Sequence, residues 1–125
     1  MNHSRAGAIK KAIFWLATLI VAGMLLFSAY GYLLDAKAIR AFAALGLPSY
    51  FRFELATLCA VGAVVMVAPR IPSPPREWAY AGAALFFLTG VTAHIANDDP
   101  MSYTVLGFLS LILLAISRFL LHHVR

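Results

Sequence analysis

Cysteine occurs once in this chain of 125 residues, at Cys59. A lone thiol forms no internal disulfide, and without a Cys-x-x-Cys pair there is no dithiol to exchange. Set in the middle of an apolar run, Cys59 reads as a small buried side chain rather than a reactive one. Charge is scarce as well, at 12% of residues against about 25% in an ordinary soluble domain. The ten lysines and arginines outnumber five acidic residues, giving a net charge of +5. That surplus does not point to nucleic acid, because the basic residues stand at the ends of apolar runs and not in a patch interleaved with aromatics. Also missing are a glycine-rich phosphate loop, a nucleophile elbow, a zinc-protease pattern, paired haem-type histidines and any soluble repeat.

What fills the chain is hydrophobic sequence, 62% of it. Four apolar runs stand out: Ala12–Leu34, Phe53–Ala68, Trp78–Asn97 and Met101–Ser117. About 20 apolar residues in a helix cross a hydrocarbon core of about 30 Å. A soluble chain this short has no interior large enough for so much apolar surface, so lipid must solvate part of it. The first run is too long for the apolar region of a signal peptide, and Ser28-Ala29-Tyr30 puts a tyrosine where a cleavage site needs a small residue. It reads as a retained span. The expectation is all-α: one membrane domain over residues 1–125, a four-helix transmembrane bundle with spans near 12–34, 49–68, 78–97 and 101–121.

Orientation follows from the basic residues. With the N-terminus inside, Arg5, Lys10, Lys11, Arg70, Arg76, Arg118 and Arg125 face the cytoplasm, seven in all, and only Lys37, Arg40 and Arg52 face out. The positive-inside rule then places both termini in the cytoplasm. Four prolines between Pro69 and Pro75 predict a stiff, extended, non-helical connector between the second and third spans. Between the first two spans, Ala38, Ile39, Phe42 and Leu45 share one helical face, with Lys37 and Arg40 off it. Asp35 suits the N-cap and Gly46 the C-cap. A short amphipathic helix on the outer surface, near Ala36–Leu45, is expected there. Ala56, Ala60, Ala63, Ala79, Gly82 and Ala83 read as positions of close helix packing.

Ionisable groups are costly in a bilayer, so each is a candidate site. Leu55 to Ala68 is too short to span alone, so the second helix must begin near Ser49, which draws Glu54 into the membrane. Arg52, two positions away, points elsewhere and can snorkel to headgroups. This reading turns Glu54 inward. His94 closes the third span at similar depth, near Asn97 and Asp98, and Tyr32 closes the first. Tyr32, Glu54, His94, Asn97 and Asp98 are therefore expected to converge on one outward-facing polar pocket. Two readings stand: Glu54 and His94 bond each other and lock the bundle, or the group forms a ligand, quinone or proton-transfer site. No metal centre is expected, since one histidine and one glutamate offer two ligands where about four are wanted.

The chain resembles the DoxX-like family of small membrane proteins. The resemblance rests on Phe27-Ser28-Ala29-Tyr30, Ala44-Leu45-Gly46-Leu47-Pro48-Ser49-Tyr50-Phe51, Glu54-Leu55 through Ala68-Pro69-Arg70, Glu77-Trp78-Ala79-Tyr80-Ala81-Gly82 and Ala93-His94-Ile95-Ala96-Asn97-Asp98-Asp99-Pro100. Where family members often carry a lysine shortly after the serine of the first helix, this chain has Tyr32. The resemblance implies a four-helix fold and a multi-pass location, in a bacterial inner membrane. The family is named for a subunit associated with thiosulfate:quinone oxidation, and related branches include membrane-protein assembly chaperones. Two functions are therefore expected: an accessory subunit of quinone-linked redox chemistry, with Phe27, Tyr30 and Phe51 around the ring, or a non-enzymatic partner of another membrane protein. Membrane lipids are its surroundings in both.

Overall fold

A computed structural model describes residues 2–96 and 99–124, with side chains from residue 5 onward. Five helices occur among the described residues: α1 (Asn2–Leu34), α2 (Ala36–Ala44), α3 (Ser49–Val67), α4 (Ser73–Ala96) and α5 (Met101–Val124). All but α2 are long and apolar enough to cross a membrane. The molecule is an all-α bundle, as its apolar runs require.

Helix boundaries depart from expectation where polar sequence continues a helix. α1 begins ten residues before Ala12, because no proline interrupts Asn2–Lys11 and its alanines and lysines favour helix. The proline-rich connector is also shorter than expected. Only residues 68–72 lie outside helix, and Pro74 and Pro75 sit in the first turn of α4. Proline is harmless there, because the first N–H groups of a helix have no partner within it. The turn is closed by Arg70 in the left-handed region, at φ 64°. α3 begins at Ser49, as the length argument demands, and its 19 residues rise about 28 Å.

The four long helices form a ring in which α1 touches α3 and α5, and α4 touches the same two. Each buries a narrow stripe. That of α3 is Arg52, Ala56, Cys59, Ala63 and Met66; that of α4 is Tyr80, Ala83, Phe87 and Val91. Phe14, Val21 and Met66 are fully buried at the centre. Small side chains set the helix spacing. A Cβ on Gly107 would stand 2.4 Å from Cγ2 of Val91, so α5 meets α4 there with no room for a side chain. The outward faces are large and apolar, with Leu16, Leu58, Leu85, Ile112 and Phe119 all exposed. Such a surface suits hydrocarbon, not water.

One end of the ring carries the chain termini and the 68–72 turn. The other carries α2 and the α4–α5 turn. α3 and α4 are the neighbouring spans that touch least, and the space between them holds the candidate site.

Candidate functional site

The site is built from the α2 end. α1 stops at Leu34, leaving its last carbonyls in need of donors. Asp35 N–H serves the Gly31 carbonyl at 2.9 Å. Arg52 Nη1 donates to the Tyr32 carbonyl and, at 3.5 Å, to that of Leu33. A cation also suits the negative end of a helix dipole. Arg52 is only 9% exposed, and its guanidinium lies 4.6 Å from the centre of the Phe53 ring. The expected roles of Arg52 and Glu54 are thus exchanged. Arg52 is internal, at the head of the buried stripe Arg52–Ala56–Cys59–Ala63–Met66, while Glu54 lies on the exposed face. Two positions along a helix are about 200° apart, so only one of the pair can face inward. The unpaired carbonyls of α1 select the arginine.

α2 lies across this end as a roof. The Asp35 carboxylate accepts from Lys37 N–H at 3.1 Å and caps it. At its other end Gly46 N–H donates to the Ala43 carbonyl and Leu47 N–H to that of Phe42, the paired bonds of a Schellman motif. Gly46 sits at φ 75°, which costs glycine nothing. Leu45, expected to end the helix, is its C-cap, and Gly46 follows it. The roof is aromatic. Phe42 packs against Tyr32 with ring centres 5.3 Å apart and against Phe51 at 6.2 Å, and Tyr32 meets Phe86 edge-on at 6.1 Å.

Beneath it a groove of about 860 Å³ runs between α3 and α4. One wall is the α3 stripe Phe51, Leu55, Leu58, Gly62 and Val65; the other is the smaller-sided α4 stripe Ala79, Gly82, Phe86, Gly90 and Ala93. From Phe51 to Val65 the wall extends about 21 Å. Leu58, Leu85 and Trp78 at its margin are exposed, so the groove opens sideways toward lipid. Its polar side chains are few: the hydroxyls of Tyr32 and Thr89, the Cys59 thiol and the Trp78 indole. Thr89 was expected to bond back to its own helix. Thr92 does so, to the Leu88 carbonyl at 2.9 Å, while among the described residues no such bond forms at Thr89.

The polar pocket expected from sequence does not assemble. Tyr32 lines the groove, but Glu54 is exposed outside it. His94 Nδ1 is 2.8 Å from Asp99 Oδ2, and its ring stacks on Tyr103 at 5.2 Å, so it ties the α4–α5 turn instead. Asn97 and Asp98 lie outside the described residues. Of the expected ring-binding aromatics, Phe51 lines the groove, whereas Phe27 and Tyr30 are 77% and 61% exposed on the outer face of α1. Among the described residues no three His, Cys, Asp or Glu side chains stand together as metal ligands.

Two polar groupings went unseen in the sequence. Ser117 Oγ lies 2.5 Å from Thr18 Oγ1 and 2.6 Å from the Tyr80 hydroxyl, joining α5 to α1 and α4 inside the bundle. Near the chain termini Arg118 Nε donates to Glu77 Oε2 at 2.9 Å. The signal for the second pair was present: in an antiparallel α4–α5 hairpin, residues 77 and 118 fall at the same level. A serine inside an apolar run gives no such signal.

A family model described as the DoxX-like family matches residues 16–117, from the first span to the last. Neither a curated protein nor a solved structure matches the chain.

Proposed function

The chain belongs to the DoxX-like family and is a multi-pass integral membrane protein; from that premise we propose that it is an accessory subunit of quinone-linked redox chemistry, holding a quinone in the α3–α4 groove. The observation that carries this reading is the groove. Its volume of about 860 Å³ is within the range of about 300–1,000 Å³ usual for small-molecule sites. It is apolar along its length, rich in aromatic rings at one end and open to the bilayer. A prenylated ring has that same division.

In this reading the ring sits at the α2 end among Tyr32, Phe42, Phe51 and Phe86, whose faces and edges stack on it. The Tyr32 hydroxyl donates to a ring oxygen, and the tail follows Leu55, Leu58 and Gly62 toward Val65. A bound quinone supplies a carrier of two electrons and two protons. The protein's part is to orient the ring, keep water from it beneath α2 and leave a side entry for exchange with the bilayer. With one buried cysteine and no haem-type histidine pair, electrons must reach the ring from a partner subunit.

Both termini face the cytoplasm of a bacterial cell in this account. Arg52 supports that orientation. As an internal helix cap it no longer counts as a surface charge, so Lys37 and Arg40 alone remain at the α2 end.

A second reading, a non-enzymatic partner or assembly protein, is favoured by the small side chains of α4. Ala79, Gly82, Gly90 and Ala93 would let another helix approach closely. Purification in mild detergent, followed by mass spectrometry of protein and extracted lipid, separates the two. A retained quinone supports the first; a retained membrane protein with no ring compound supports the second and contradicts the first.

A further inference from the structure

A second depression lies between α4 and α5, toward the end that holds the termini. It measures about 410 Å³. Its walls are short or flexible apolar side chains, Ala81 and Ala84 from α4 with Leu111 and Ala115 from α5. Tyr80, 4% exposed, forms its floor. The Tyr80 hydroxyl is bound to Ser117 inside the bundle, so the depression meets mainly its ring. This channel suits an acyl chain.

Its mouth is basic. Glu77 and Arg118 both line it. Arg118 gives one N–H to Glu77 of the five a guanidinium carries, and no other described residue accepts from it. Arg76 lies one turn before Tyr80 and extends the buried face of α4. Its Nε is buried with no partner among the described residues. A buried donor without an acceptor is costly, and an absent acceptor explains it. Arg5, Lys10, Lys11 and Arg70 share this end of the bundle, where Glu77 is the only acidic residue among those described. With Glu77 neutralised by Arg118, the surplus belongs to Arg76 and its basic neighbours.

We propose that this is a binding site for an anionic phospholipid. The phosphate is held between Arg76 and the free edge of Arg118, and one acyl chain lies along the α4–α5 depression over Tyr80. Guanidinium groups bind phosphate by charge-assisted hydrogen bonds, and basic pockets between spanning helices favour anionic headgroups. Glu77 fixes Arg118 through Nε and so turns the Nη edge toward the lipid.

The test is thermal denaturation of the full chain in detergent with phosphatidylglycerol, with phosphatidylcholine of the same acyl chains, or with inorganic phosphate. Native mass spectrometry reads the lipid retained. Phosphatidylglycerol is expected to raise the midpoint and stay bound, while phosphatidylcholine and inorganic phosphate do neither. Arg76→Gln weakens lipid binding about fivefold. So does Arg118→Gln combined with Glu77→Gln, a pair that leaves no carboxylate unpaired. Circular dichroism checks that each variant is folded, and Lys10→Gln controls for general attraction. Equal protection by both lipids, protection by inorganic phosphate alone, or the same binding in Arg76→Gln and Lys10→Gln overturns the proposal.

Discussion

Arg52, on the first turn of α3, closes the last turn of α1 by donating to the carbonyl of Tyr32. A charged donor removed from a partly buried acceptor costs about 1.5–3 kcal/mol. Arg52→Met keeps most of the apolar stem and deletes the donors. It should lower the thermal midpoint in detergent and speed amide exchange at the end of α1. Arg52→Lys, which keeps the charge but not the fork, should cost less. Unchanged exchange near Tyr32 in Arg52→Met would show that the cap is idle.

The Arg52–Tyr32 bond also marks where sequence reasoning ran out. The four spans, the start of α3 at Ser49 and the Asp35-capped surface helix were legible, because apolar run length and capping chemistry are local. The choice between Arg52 and Glu54 was not. Both sit at the same depth on opposite faces, and the deciding group, the carbonyl of Tyr32, belongs to another helix. His94 failed for a related reason. Its depth was right, but the partner is Asp99, five residues on, reached through a turn that depth alone does not describe. The groove itself is a gap between α3 and α4, and a gap has no residue pattern of its own.

Gly107→Ala should be destabilising by about 1–3 kcal/mol, since the added methyl enters the space of Val91 Cγ2 and valine has few rotamers to yield with. Val91→Ala in the same chain should restore part of the loss. Thermal denaturation of the two single variants and the double variant measures the coupling, and strictly additive losses would count against the close α4–α5 approach.

Ser117 holds two hydroxyls on other helices, so Ser117→Ala strands Thr18 and Tyr80 together. Interhelical hydrogen bonds in membranes are worth about 0.6–2 kcal/mol. The loss should therefore exceed that of Tyr80→Phe, which breaks one bond and removes its own polar atom with it. Denaturation in detergent ranks the two, and a harmless Ser117→Ala would contradict the buried chain.

Glu54 and His94 are set apart from the groove in this account. Glu54→Gln and His94→Ala should leave the retained lipid-soluble ring compound unchanged, and His94→Ala should cost less than about 1 kcal/mol, as befits a half-exposed pair. Loss of the compound in either variant, with the fold intact, would return these residues to the site.

The central claim is that the α3–α4 groove holds the ligand. Gly82 faces it, and a Cβ there meets nothing within 4 Å, so Gly82→Leu fills the groove without disturbing the bundle. Gly23, on the exposed face of α1, has the same freedom and lies outside the groove, which makes Gly23→Leu its control. The direct measurement is the quinone content of each protein after purification in mild detergent, relative to the unaltered chain. The account predicts that Gly82→Leu is folded and nearly empty while Gly23→Leu keeps its full complement. Equal quinone in the two variants would contradict it.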